Sequence, residues 1–195
     1  MSEPISKQKL FNVVMVVLVV FLSAEVVLLV FQNRRLQKTL TEFTTGPTNR
    51  GQLKPGEQLP VVDLKSLDGS TMKLEYQEPQ KKHLVFIFTS TCPHCEATFP
   101  KWKQFADEIG NKSIITLGVC LDNLETTKEL AEKRTPNFPM FSANDTSFSR
   151  LYKISGVPQT LLVDGNGKVE KIWVGELNKD NVAEVENSIH SFASN

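Results

Sequence analysis

The sequence predicts an α/β domain, a mixed β-sheet sandwiched by helices, behind one apolar N-terminal helix. Three observations carry this prediction. Residues 83–89 (HLVFIFT) and 113–121 (SIITLGVCL) are continuous apolar runs of strand length, as expected for strands buried on both faces. Each is followed by a segment of helical character, 93–109 and 123–134, and in the first of these Phe99, Trp102, Phe105 and Ile109 recur along one side. Residues 159–163 and 169–174 flank Asp164-Gly165-Asn166-Gly167, a strong hairpin signal. Strand, helix, strand, helix and then hairpin plus helix is the order of a layered α/β sandwich.

The elements follow in order along the chain. Residues 11–31 (FNVVMVVLVVFLSAEVVLLVF) match the length that crosses a bilayer as a helix, about 20 residues. Apolar residues continue past Ala24, the one small-residue cleavage point, so the segment reads as an uncleaved anchor. Glu25 within it fits either snorkelling to the headgroups or contact with a partner's membrane helix. Lys7 and Lys9 precede the span while Arg34, Arg35 and Lys38 follow it, so charge does not set the orientation. Residues 1–10 are a short tail. Residues 32–58, polar and punctuated by Gly46, Pro47, Gly51, Pro55 and Gly56, read as a tether. The domain is expected to span 59–195.

Within the domain, 61–64 and 72–74 read as two short strands around Asp68-Gly69. Residues 138–141 are strand-like and 146–152 helical. Residues 178–192 close the chain as a helix with Asn178 as its cap.

Composition narrows the function. The chain has 195 residues, with Lys+Arg and Asp+Glu both 22, and this balance argues against a nucleic-acid binder. Three cysteines are too few for a disulfide-stapled scaffold. Cys92 and Cys95 form a pair, and Cys120, inside an apolar strand, reads as a small buried hydrophobe.

Thr91-Cys92-Pro93-His94-Cys95 falls at the junction of a central strand and the following helix. Cysteines three apart at a helix start lie on one face, about a turn from each other, which suits a disulfide. Pro93 costs nothing in the first turn. The unpaired N–H groups and the positive end of the helix dipole favour a thiolate at Cys92, making it the nucleophile, with Cys95 as the resolving thiol. His94 as a cation or donor would favour that thiolate further. Glu96 adds a negative charge beside the pair, which would push the thiol pKa up, though it also reads simply as a carboxylate suited to a helix first turn. Cys92, His94 and Cys95 could hold a soft metal, but His83, His190 and Cys120 are too scattered to complete a paired zinc motif.

From Leu59 to Asn195 the sequence resembles the thioredoxin superfamily. A buried strand runs into TSTCPHC, and Pro100 sits where thioredoxins carry a helix-bending proline. Gly156-Val157-Pro158 precedes a strand as the cis-proline turn does, and VDGNGKVEKIWVG matches the family's last hairpin. In appearance it is most similar to the membrane-tethered TlpA/ResA-like proteins and the methylamine dehydrogenase accessory (MauD-like) proteins. These share the N-terminal anchor, the extra β-hairpin before the core and the helix inserted here at 123–134. The Pro93-His94 dipeptide resembles that of the oxidising DsbA enzymes.

The resemblance implies a thioredoxin-like fold and a protein thiol–disulfide oxidoreductase acting on cysteines of exported proteins, in a setting such as cytochrome or dehydrogenase maturation. It implies a single-pass protein of the bacterial cytoplasmic membrane, its C-terminal domain on the periplasmic side and its cysteine pair recycled by a membrane or exported redox partner. No cofactor is implied beyond the Cys92–Cys95 disulfide. It further implies a cis Val157–Pro158 bond whose turn presents the Val157 backbone to a substrate strand. Two departures stand out: Phe86 occupies the place of the buried acid of thioredoxins, and Thr98 that of the functional glutamate of ResA-like proteins. Two other functions compete. One is a thiol peroxidase, with Thr89 three residues before Cys92 but Val85 where that motif has proline. The other is a copper-delivery module, which would need a wider cysteine spacing and a distal histidine.

Overall fold

The computed structural model describes residues 11–12, 15–23, 25, 51–110 and 113–193. Residues 15–23 are helical. Among the described residues no helix is long and apolar enough to cross a membrane. The expected span at 11–31 is described only in part; its end and most of the expected tether lie outside the described residues.

The remaining described residues form one compact unit. Its seven strands are β1 (Val62–Ser66), β2 (Thr71–Leu74), β3 (Lys82–Phe88), β4 (Ile114–Cys120), β5 (Met140–Ser142), β6 (Gln159–Val163) and β7 (Val169–Val174). Four helices accompany them: α1 (Pro93–Ile109), α2 (Leu124–Arg134), α3 (Thr146–Leu151) and α4 (Lys179–Ala193). The sheet runs β2-β1-β5-β4-β3-β6-β7. β3, β4 and β5 are parallel neighbours, while β1 pairs antiparallel with β5 and β2, and β6 with β3 and β7. This is the mixed thioredoxin-like sheet the sequence predicts.

Period-two alternation on β3 divides the core. Leu84, Phe86 and Phe88 face a cluster with Trp102 and Phe105 of α1 and Val185 and Ile189 of α4. Val85 and Ile87 face the other cluster, with Leu64, Phe148 and Tyr152. Trp102 is fully buried, lies stacked on Phe86, and donates its Nε1–H to Thr160 Oγ1 at 2.9 Å. That bond fastens α1 to β6, the strand that follows the Pro158 turn.

Side chains set the element boundaries. Asn123 caps α2 by accepting the Thr126 N–H, and Asn178 accepts the Asn181 N–H ahead of α4. β5 begins two residues later than the strand-like run at 138–141, because Pro139 has no N–H to give a ladder. In the β6–β7 turn Asp164 Oδ1 accepts the backbone N–H groups of Asn166 and Lys168. Gly167 there has φ +87°, and a Cβ on Gly165 would lie 1.9 Å from the Glu78 carbonyl oxygen. Ahead of β1, Gly56 donates to the Val169 carbonyl, and Glu57 accepts the Val169 N–H. Leu53 and Leu59 are buried in the same cluster as Tyr152.

Candidate redox site

Cys92 and Cys95 sit at the carboxyl end of β3, where the chain turns into α1. The strand is central and buried, so its end is a fixed platform. Asp122, just past β4, holds the turn by accepting the Ser90 N–H on Oδ2 at 2.6 Å.

Cys92 is the N-cap of α1, and its Sγ accepts the Cys95 N–H at 3.1 Å. Its carbonyl meets the N–H groups of Cys95 and Glu96, both at 3.1 Å. Pro93 occupies the first turn, where its missing N–H is not needed. The sulfur therefore stands at the positive end of a 17-residue helix, the position that stabilises an anion. Cys92 is half-buried and Cys95 only 3 % exposed. Burial pushes the Cys95 thiol up to about 12, and its hydrogen bond with Cys92 acts in the same direction. The two thiols are thus unequal: one reachable, one held protonated beneath it.

The Val157–Pro158 peptide bond is cis. The Cys92 thiol lies against this turn, donating to the Val157 carbonyl oxygen at 3.7 Å. Cys92, Cys95, Val157 and Pro158 are brought together in this way from two distant parts of the chain.

His94 is an exposed residue of the first turn of α1. Its side chain is 71 % exposed and its Nδ1 lies within hydrogen-bond distance of Glu176 Oε2, at 2.9 Å. Glu96 also has a partner, Arg134 at the end of α2. The bond from that guanidinium holds the Glu96 carboxyl below its usual range. Phe86 and Thr98 carry no acid into the site. Phe86 stacks on Trp102, and Thr98 donates its hydroxyl to the His94 carbonyl at 2.8 Å. Cys120 is fully buried, donates to Asp122 Oδ2 at 3.4 Å, and is pushed up to about 11 by burial. Sequence reasoning missed Asp122, Arg134 and Glu176, because each meets its partner only through the fold.

Among the described residues no group of three or more His, Cys, Asp or Glu side chains gathers as a metal site. The arrangement can pass a disulfide between its two sulfurs and a third.

The profile of the Redoxin family matches residues 54–189. Sporulation thiol-disulfide oxidoreductase A of Bacillus subtilis is 24 % identical over 144 residues, 69 % of this chain and 85 % of that protein. Thiol-disulfide oxidoreductase ResA of Oceanobacillus iheyensis is 28 % identical over 131 residues, 67 % of each chain. The thioredoxin domain of a thiol-disulfide oxidoreductase from Bacteroides vulgatus superposes with a TM-score of 0.61 at 23 % identity, covering 73 % of this chain and 99 % of that one.

Proposed function

The chain belongs to the Redoxin family, as a thioredoxin-superfamily oxidoreductase of the TlpA/ResA type, and we propose that its Cys92–Cys95 pair exchanges disulfides with cysteines of exported proteins. The observation that carries this reading is the Cys92 sulfur at the α1 N-terminus, against the Val157 carbonyl.

In the reducing direction the Cys92 thiolate attacks one sulfur of a substrate disulfide. A mixed disulfide forms, and the other substrate sulfur leaves as a thiolate that takes up a proton. Cys95 then gives up its proton and attacks the Cys92 sulfur. The Cys92–Cys95 disulfide closes and the second substrate thiol leaves, so two electrons have passed to the substrate. The same steps reversed donate a disulfide. A substrate strand laid along the Val157 backbone brings its sulfur to Cys92, which is the role given to Val157 and Pro158. Pro93 and His94 tune the pair.

In this reading residues 11–31 anchor the protein in the bacterial cytoplasmic membrane, with the domain on the outer face. There it meets exported cysteines and a redox partner that recycles the pair.

Replacing Cys95 with serine removes the resolving sulfur. C95S in cells is expected to accumulate a mixed disulfide between Cys92 and an exported protein, released by dithiothreitol; C92S is not. No captured protein, together with peroxide consumption or stoichiometric copper(I) binding, would replace this reading with a peroxidase or a copper carrier.

A further inference from the structure

α2 ends against the redox centre. Arg134, its last residue, would be expected to extend into water, yet its side chain is only 24 % exposed. It turns toward α1 and ion-pairs with Glu96, the residue after Cys95. A void of about 10 Å³ lies beside this pair, and Cys92, Cys95, Glu96 and Arg134 all line it. That is room for about one water, so the void is a short gap that both charged residues and both sulfurs border, with the Glu96 side chain itself 63 % exposed. Phe88, Phe99 and Leu130 form its apolar wall on the side of the sulfurs.

Both partners are charged at neutral pH, because the guanidinium holds the Glu96 carboxyl below its usual range. A cation beside the sulfurs favours a thiolate and hence the reduced pair; an anion does the opposite. Other charges near the gap have their own places. His94 is paired with Glu176, and Lys133 adds to the field that lowers Glu96.

We propose that Glu96 and Arg134 are tuning residues of the redox centre, a cation and an anion of opposing effect whose balance sets the potential of the Cys92–Cys95 pair. Arg134 favours the dithiol, and Glu96 offsets it. The inserted helix α2 is thereby the element that delivers a cation to the thiols. This rests on the reading of Cys92–Cys95 as a redox pair.

The test equilibrates the full-length protein, in detergent micelles, with glutathione. Two glutathione thiols reduce the disulfide to two cysteine thiols and leave one oxidised glutathione. At pH 9 an ordinary cysteine, with a pKa of about 8.5, is mostly thiolate, so the charge effect on Cys92 is read while Cys95 keeps its proton. E96Q leaves the cation unopposed and is expected to shift the equilibrium toward the dithiol about three- to tenfold, roughly 15–30 mV upward. R134Q leaves the anion and is expected to shift it as far the other way. The double variant E96Q/R134Q and the charge-preserving R134K are expected to stay within about twofold of the parent. The pH at which Cys92 alkylates should fall in E96Q and rise in R134Q, a readout that a purely structural ion pair does not move. Shifts of one sign in both single variants, or none beyond twofold, overturn the inference while leaving the redox reading intact. A parent protein that shows no glutathione-dependent interconversion overturns both.

Discussion

The sulfur of Cys92 lies 3.7 Å from the carbonyl oxygen of Val157, the residue that precedes cis-Pro158. One end of that contact is the N-cap of α1 and the other is the turn into β6. The thiol is therefore held between a helix terminus that favours its anion and the carbonyl of a cis-proline turn.

This geometry orders the thiols by reactivity. Cys92 is half-buried, whereas Cys95 is 3 % exposed and Cys120 fully buried. Brief treatment of the reduced, folded protein with iodoacetamide should modify Cys92 alone, and all three cysteines only after unfolding. Peptide mass spectrometry reads the outcome. Modification of Cys95 or Cys120 at a comparable rate in the folded protein would contradict the arrangement.

The buried thiols also make stability depend on pH. Burial raises Cys95 to about 12 and Cys120 to about 11, well above the ordinary cysteine value of about 8.5. Raised values mean that the folded state keeps protons the unfolded chain releases. The contribution is complete below about pH 8.5 and is lost as pH rises through the folded values. The melting temperature of the reduced protein should therefore fall steadily above pH 9. The oxidised protein, in which Cys95 has no proton to lose, should show a shallower decline over the same range.

Trp102 locks α1 to the sheet through its stacking on Phe86 and its bond to Thr160. Trp102→Phe removes the donor, leaves the buried Thr160 hydroxyl unpaired and opens a small void. A loss of about 2 kcal/mol is expected in urea unfolding. A change under 0.5 kcal/mol, the usual range for a surface substitution, would mean that the contact carries no such load.

Much of this was legible in the sequence because the signals are local. The apolar run at 83–89, the Cys-Pro start of α1, the Asn178 cap and the Asp164–Gly167 turn each state a boundary through residues a few positions apart. β3, α1, β6 and β7 accordingly fall where the pattern places them. The electrostatics of the site were not legible. His94 meets Glu176 across 82 residues and Ser90 meets Asp122 across 32, and no periodicity links such pairs. Glu96 reads from sequence as a charge beside the pair or a carboxylate serving the helix dipole, and the guanidinium it meets in the fold comes from another helix. Charged side chains at loop ends find partners through topology, which the order of residues encodes only globally.

The most direct measurement equilibrates the full-length protein in glutathione buffers of graded ratio and counts the free thiols at each ratio by mass spectrometry after alkylation. A Cys92–Cys95 redox pair gives a single two-electron transition in which Cys92 and Cys95 disappear together while Cys120 stays free throughout, with a slope of about 30 mV per tenfold change. Two thiols that never pair, or a transition that consumes Cys120 in place of Cys92 or Cys95, would contradict it.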